Sequence, residues 1–527
     1  MSKNNQHRLR TQLASMLFMA STAASAVASN DLYVDQSNPN CPGSGTDLDP
    51  FCTIQAALNT SVDGDLILVA PGQYMENVII EMRDVTVRAT SGASQTSINA
   101  GTQGSALTFR NPNGSTPEVD GFTLTGGSGT NGRGGGVYID GASPTLRDCI
   151  IINNHTTGRG GGIHARNLSD LTMIGCEVGG NSSQIDGGGL FQSGGELSVT
   201  SSSFTYNSAL DNGGGIYLRN SVSAIVKGAH IAWNLCELQD GAGFYTEESD
   251  LQIFKSIFQR NFSWRNGSGL ALTNNTTGTI SSSLIIGNRA FRDGGALFMS
   301  ASQIDLIGTN LIQNSCGNNG GGISAINNSN LTVSDALLRR NHSKGCHGGA
   351  AYLDSVNNAH FDNCLFLINR ARYDGGAIYA ENCSDSSFTR SVFGYNSANN
   401  GRGGAMHLIS SSPTLDHCTL SRNTGDIEDC AIYGRNLSMP TITNSILWDD
   451  RGEELILVIG NKVSGTGSHL THISHSIVEG ISPGNNNFDA DPLFWNAQGN
   501  NYHLRANSPA IGQADDGSDV GAFQFGS

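Results

Sequence analysis

The chain has 527 residues, 68 of them Gly, with only 14% charged residues and a formal net charge of −16. Ile, Leu, Val and Phe are too abundant among the Gly, Ser and Asn for a disordered chain. So acidic a surface repels nucleic acid and anionic lipid, which excludes both as partners. The Gly and Asn content fits a fold made of many tight turns.

The N-terminus reads as an export leader, residues 1–28. Lys3, Arg8 and Arg10 form a basic region, Leu13 to Ala24 is mostly apolar, and Ala26-Val27-Ala28 is a small-residue cleavage site before Ser29. The apolar run is too short and too rich in Ser and Thr for a membrane anchor, and no other stretch could span a bilayer as a helix. Eleven Cys suit an oxidising compartment, and the odd number leaves at least one free or paired between chains. Residues 29–65 are expected to form an N-terminal cap. Within it Cys41 and Cys52 flank a Gly-rich loop and are expected to form a disulfide. Thr53 is placed to cap a short helix through Ile54, Ala57 and Leu58. Leu66 to Val69 reads as the first strand, turned by Pro71-Gly72.

From about residue 130 one unit recurs. It ends at Asn154, Asn181, Asn207, Asn234, Asn261, Asn288, Asn314, Asn341, Asn369, Asn396 and Asn423, in steps of 26 to 28 residues. Three residues before each Asn is a large apolar side chain, such as Ile151, Phe204, Phe366 or Phe393. Five before it is a small one, such as Cys149, Cys176, Ser256 or Cys364. Eight before it is an apolar one, such as Leu146, Ile253 or Phe388. The small and large positions stand two apart, which is strand spacing. Upstream, Gly-Gly-x leads into apolar Val137, Ile163, Leu190, Ile216 or Ile378, commonly after Asp or Asn, which marks a sharp corner into a strand. A unit this short cannot bury its own core, so units must stack. The expected fold is all-β, a right-handed parallel β-helix of about 27-residue coils over residues 66–480. The Asn column should form a hydrogen-bonded ladder, and residues 481–527 an irregular C-terminal cap.

The Gly-Gly-Ala-Ile at Gly375 and the Phe-x-x-Asn units at Phe204, Phe258, Phe366 and Phe393 resemble the repeats of chlamydial polymorphic outer-membrane proteins. The opening, with Tyr33-Val34-Asp35, Pro50-Phe51-Cys52-Thr53-Ile54-Gln55 and Pro71-Gly72-Gln73-Tyr74, resembles that of secreted pectate-lyase-like β-helix proteins. The tail, with Asp491-Pro492-Leu493-Phe494 and Asp519-Val520-Gly521-Ala522-Phe523, is similar to that of bacterial surface β-helix proteins. These resemblances imply an extracellular or cell-surface bacterial protein, with the outer membrane as one place of attachment. Some 75 residues after the last clear coil are too few for the membrane barrel of the polymorphic proteins, so release or another anchor is expected.

Pectate-lyase-like relatives imply a polysaccharide groove with an acidic calcium cluster and an Arg or Lys base. Arg166 and Arg219 lie two coils apart on the post-glycine strand, with Asp140 in the same outward column, and these three are the candidate charged groove. Directly after the apolar post-glycine residue runs Tyr138, His164, Phe191, Tyr217, Tyr245, Tyr352, Tyr379 and His407. By alternation this column faces away from the core, and an exposed aromatic stripe of this kind is the candidate ligand platform. No metal site is expected. His469, His472 and His475 cannot converge from one strand, and turn formation accounts for the Asp-Gly-Gly corners, with calcium there as the alternative. Cys149 and Cys176 read as small buried thiols, and Cys316 and Cys346 as a second disulfide. The expected function is that of an adhesin-like or glycan-binding monomer without catalysis or cofactor, whose partner is an extracellular glycan or cell-surface protein. The alternatives are a polysaccharide lyase or glycoside hydrolase, and a passive spacer.

Overall fold

The computed structural model describes residues 30–111, 115–450, 452–459, 462–464, 472–480 and 485–526. The proposed leader and His469 lie outside them. The chain winds into a parallel β-helix whose walls, among the described residues, are sheets of 16, 17 and 16 strands, with a fourth sheet of eleven two-residue strands. One coil illustrates the path. Ile378–Glu381 belongs to the first sheet, Asp385–Thr389 to the second, Val392–Gly394 to the third and Ser397–Ala398 to the short fourth. The next coil repeats this in register, so Ile378 pairs with Met406, Phe388 with Leu415 and Phe393 with Leu420.

The stretch between the apolar residue eight before each Asn and the one three before it is two strands, not one. A left-handed residue separates them in successive coils, for example Asp148, Ser282, Asn363 and Arg390, each with φ between 45° and 51°. The odd spacing of three between the apolar and the small column is the trace of that turn, since an unbroken strand would need an even one. The small column lines the inside of this corner. Where it holds Ser, the hydroxyl accepts the amide of the preceding coil, as Ser256 Oγ does from Ala229 N and Ser283 Oγ from Ser256 N, both at 3.1 Å.

The corner after the Asn needs two kinds of glycine. Gly375 has φ of +69°, which an L side chain resists. Gly376 has ordinary dihedrals but no room, because a Cβ there would stand 2.2 Å from the Gly404 carbonyl oxygen of the next coil.

At the N-terminus, Asp31–Val34 already pairs in parallel with Leu66–Val69, so the solenoid begins one strand earlier than the sequence suggests. The helix Ile54–Thr60 follows Thr53, whose Oγ1 accepts from Ala56 N, and it buries Ile54, Ala57 and Leu58. Cys41 and Cys52 are disulfide-bonded. Cys149 and Cys176 are buried thiols, and Cys316 and Cys346 are also free, which corrects the second expected disulfide. Register is the reason: Cys316 pairs across the fourth sheet with Ser343, three residues short of Cys346. At the far end Asn487 Oδ1 accepts from Ser476 N at 3.1 Å, where the tail meets the coil of Ile473–Ser474 and Ile477–Val478. The tail then runs back along the flank, where Phe494, Tyr502, Ala522 and Phe523 cover Leu337, Leu365, Leu367 and Val392.

The Asn ladder is continuous. From Asn181 onward each Asn Oδ1 accepts both the backbone N–H and the Nδ2 of the preceding Asn, and each Nδ2 also donates to a carbonyl one coil back, as in Asn288 with Asn261 and Phe258. The ladder ends on Asp450, whose Oδ1 takes the same two donors from Asn423. Asp450 and Glu454 are both buried. Burial pushes Asp450 up to about 7, and burial together with the neighbouring Asp450 raises Glu454 well above the carboxylate range. A carboxyl whose folded pKa is raised contributes stability that is complete below its unfolded pKa and is lost as pH rises through the folded value. Stability of the last coils should therefore fall between about pH 4 and neutrality. Asp450→Asn, which continues the column, is expected to flatten that fall and to add roughly 1–3 kcal/mol at pH 8. Hydrogen exchange of Thr441–Thr443 and Ile446–Leu447 as a function of pH checks it, and an unchanged pH slope in the variant would contradict the assignment.

Candidate binding surface

The post-glycine aromatic column does point away from the core, and its residues pair in register from Tyr138 to His164, Phe191, Tyr217 and Tyr245. It is nevertheless covered, which corrects the expected exposed platform. Phe191 is 1% and Tyr245 9% exposed; Tyr138, His164, Tyr217, Tyr379 and His407 are buried, and Tyr352 is only partly accessible. The roof is the glycine corner four residues upstream. Gly187 and Gly213 approach so closely that a Cβ on either would stand 2.7 Å from the Cβ of Phe191 or Tyr217. The rings stack on one another, His164 on Phe191 at 4.8 Å, Phe191 on Tyr217 at 5.2 Å and Tyr217 on Tyr245 at 4.9 Å between centroids. Their hydroxyls are held by the neighbouring outward column, as Tyr217 Oη donates to Glu247 at 2.8 Å and Tyr379 Oη to Glu381 at 3.1 Å. His407 lies between Tyr379 and Tyr433, its Nδ1 3.5 Å from Asp374 Oδ1. The stripe is a second, outer core.

Of the charged groove, Arg166 Nη2 meets Asp140 Oδ2 at 2.8 Å. The hydrogen bond to Asp140 comes first among the effects that raise the Arg166 pKa. A guanidinium so held is poorly suited to take a proton. Arg219 lies over the Phe191 ring, 5.2 Å from its centroid, and rims the same cleft as Arg166.

A different set of aromatics is exposed, and alternation along the strands does not reveal it. Tyr206 and Trp233 immediately precede the ladder residues Asn207 and Asn234. They are 65% and 43% exposed and stack at 6.1 Å with 7° between planes. Arg260, before Asn261, lays its guanidinium 4.8 Å from the Trp233 ring centroid. This position is left-handed in coil after coil, with φ of 57°, 59° and 51° at the three residues. Gly180 and Gly287 hold it on either side of the stack. Beyond the corner, Trp264 and Phe291 are 47% and 55% exposed, with ring centroids 5.5 Å apart. Phe262 meets Trp264 edge-on at 5.6 Å.

The local chemistry explains the conformation. The Asn side chain turns inward to the ladder, which forces the preceding residue into the left-handed region and aims its side chain at solvent. An L residue there costs roughly 1–2 kcal/mol over Gly. Tyr206 and Trp233 bear that cost while leaving much of their ring surface in water. The sequence signal that could have found them is a pair of large aromatics in successive coils, each directly before the ladder Asn, between Gly180 and Arg260 at the same position.

Among the described residues no group of His, Cys, Asp and Glu could hold a metal ion. Among them, too, no helix is long and apolar enough to cross a membrane.

A family model described as "Right handed beta helix region" matches residues 135–311 and 184–366. No curated protein matches the sequence. Among solved structures, a pectate lyase, Pel9A, aligns over 94% of this chain and 96% of its own at 13% identity, with a TM-score of 0.28. The GH136 lacto-N-biosidase from Eubacterium ramulus aligns over 86% and 70% at 12% identity, with a TM-score of 0.21. A rhamnogalacturonan lyase aligns over 94% and 96% at 12% identity, with a TM-score of 0.16. None of these superpositions transfers a residue or an activity to this chain. The repeat period, the in-register parallel sheets and the family model lead to one conclusion: the chain is a right-handed parallel β-helix.

Proposed function

We propose that the protein is exported and acts as an adhesin-like, non-catalytic binding protein of the cell exterior, which meets a protein partner through the Tyr206, Trp233, Arg260, Trp264 and Phe291 surface. The observation that carries this reading is the stacking of two large aromatics, Tyr206 and Trp233, in successive coils at left-handed, solvent-facing positions, a place that glycine fills at Gly180 and Gly287. Folding gains little from that choice, whereas Trp, Tyr and Arg are the residues in which binding energy concentrates at protein interfaces. The rings are pre-stacked on a rigid scaffold, so little side-chain entropy is lost on contact. Tyr206 and Trp233 stand exposed at the turn between the third-sheet and fourth-sheet strands, which suits a protein surface better than a sugar chain needing a groove. The Cys41–Cys52 disulfide and the basic-then-apolar leader support export, and the resemblance of the repeats to chlamydial polymorphic outer-membrane proteins points the same way.

The test uses immobilised extracellular-matrix and cell-surface proteins beside neutral glycans, probed with the purified chain. Binding to a protein target is expected, and Trp233→Ala with Trp264→Ala should weaken it by roughly 100-fold while the melting temperature holds. Binding to none of the targets, or equal binding by the variant, would refute the assignment.

A further inference from the structure

We infer that the cleft bounded by Arg133, Arg159, Arg166 and Arg219 is a second binding site, which takes the oxyanion group, carboxylate or sulfate ester, of an acidic saccharide. The inference uses none of the residues of the aromatic surface and stands or falls separately from the function proposed above.

The cleft opens on the outer side of the first sheet across four coils and has a volume of about 370 Å³. That is the size of a small ligand site, room for a sugar residue with its charged group but not for a folded domain. Four guanidiniums meet there in a chain whose net charge is −16. Two have carboxylate partners: Arg159 Nε is 2.8 Å from Asp186 Oδ2, and Arg166 is paired with Asp140. Among the described residues, neither Arg133 nor Arg219 makes an ion pair, and the Arg219 Nε is buried without a hydrogen-bond acceptor. Two positive charges are thus left uncompensated, one from each end of the cleft.

Three of the four guanidiniums, those of Arg159, Arg166 and Arg219, are held in place. Arg159 and Arg219 lie 5.4 and 5.2 Å from the centroid of the same buried Phe191 ring, reaching it from the two adjoining coils. The ion pairs with Asp186 and Asp140 anchor Arg159 and Arg166 from behind. Guanidinium forks held in this way match the planar or tetrahedral oxygens of carboxylate and sulfate bidentately. Asn220, whose Nδ2 donates to Ser193 Oγ at 2.7 Å, and Asn167 add neutral polar groups to the wall. The field is felt by His164 beneath the cleft. Burial first, and then the charges of Arg133, Arg166 and Arg159, hold its pKa down at about 3 against an opposing hydrogen bond to the Arg159 carbonyl. A neutral imidazole therefore adds no charge to the site at physiological pH.

The experiment is calorimetric titration of the full chain with a heparin-derived tetrasaccharide, a galacturonate tetrasaccharide and neutral maltotetraose at low and moderate salt. One or both acidic saccharides should bind and the neutral one should not. The sulfated and the purely carboxylated probes distinguish the two sources of oxyanion. The double variant Arg133→Gln/Arg219→Gln should weaken binding by roughly 100-fold, about tenfold for each charged hydrogen bond lost, and should shrink its salt dependence. Arg219→Lys, which keeps the charge and loses the fork, should weaken it less. The Trp233→Ala/Trp264→Ala variant and Arg390→Gln, which removes an equal charge paired with Asp362 outside the cleft, should bind as the wild type does. Failure of both acidic saccharides to bind the wild type, or an equal loss in Arg390→Gln, would overturn the inference.

Discussion

Replacing Asn369 by Leu is expected to destabilise the solenoid by about 3–6 kcal/mol, enough to open the coils on both sides of it. The number follows from what the substitution strands. Asn369 Oδ1 accepts from Asn341 N at 3.0 Å and from Asn341 Nδ2 at 3.1 Å, while its own Nδ2 donates to Leu338 O at 2.8 Å and to Asn396 Oδ1 at 3.0 Å. Leucine removes all four bonds. Asn396 Oδ1 keeps the Asn369 backbone N–H, but the Asn341 amide and one Asn341 Nδ2 hydrogen are left buried without partners, and the Leu338 carbonyl, paired in the sheet with the Leu365–Leu367 strand, loses its side-chain donor. Each stranded group costs roughly 1–3 kcal/mol. Burying the leucine returns at most about 1.5–3 kcal/mol, and that only if the corner could reshape around it. The neighbouring glycine corner, which has no space for a methyl group at Gly376, argues that it cannot. Hydrogen exchange resolved by coil is the measurement, with protection lost around residues 341–396 and kept near the N-terminus. An unchanged melting temperature would mean that the ladder is decoration rather than support.

The ladder was legible because a strict period in one polar residue admits few explanations once the units must stack. The core columns were legible for the same reason, as were the helix after Thr53 and the Cys41–Cys52 bond, which rest on contacts local in sequence. What the sequence concealed was what lies over an outward side chain. Alternation reports on which side of a strand Phe191 or Tyr217 stands, and it reports correctly. It carries no information about the glycine corner that folds down on them, because that roof depends on the left-handed turn at Gly187 or Gly213. The stripe therefore read as a site and is packing. The converse holds at Tyr206 and Trp233. No periodic apolar column runs through the position before the Asn, since its occupants range from Gly180 to Arg260 and Ile368, and what they share is a backbone dihedral. Cys316 and Cys346 show the limit in register: both lie near the corners of adjacent coils, yet the pairing Cys316 with Ser343 sets them apart.

Phe366→Asp is expected to be the more damaging of the two core changes, and comparison with Phe366→Ala separates its causes. Phe366 is fully buried and sits in a block of four rings. It stacks on Phe393 at 4.5 Å with 2° between planes, while Phe361 stacks on Phe388 at 5.0 Å and 5°. The two stacks meet edge to face, Phe366 against Phe361 at 5.4 Å and Phe388 against Phe393 at 5.6 Å. Alanine removes the ring and leaves a cavity, at a cost of about 3–5 kcal/mol, of which the lost aromatic pairing accounts for roughly 0.5–1.5 kcal/mol per contact. Aspartate incurs the same loss and adds a carboxyl with no hydrogen-bond partner among rings and aliphatic chains. Holding it ionised there costs several kcal/mol more. It would therefore stay protonated, with a folded pKa raised above the unfolded one, and its folded form would lose further stability as pH rises toward that value. The gap between the Asp and Ala variants should be narrow near pH 4 and wide at pH 8. Because each coil rests only on its neighbours, the damage should appear as protease cleavage around residues 361–393, while the coils before residue 300 remain resistant. If the two variants unfold alike at pH 8, water reaches position 366, and the apolar column three residues before the Asn does not face the core.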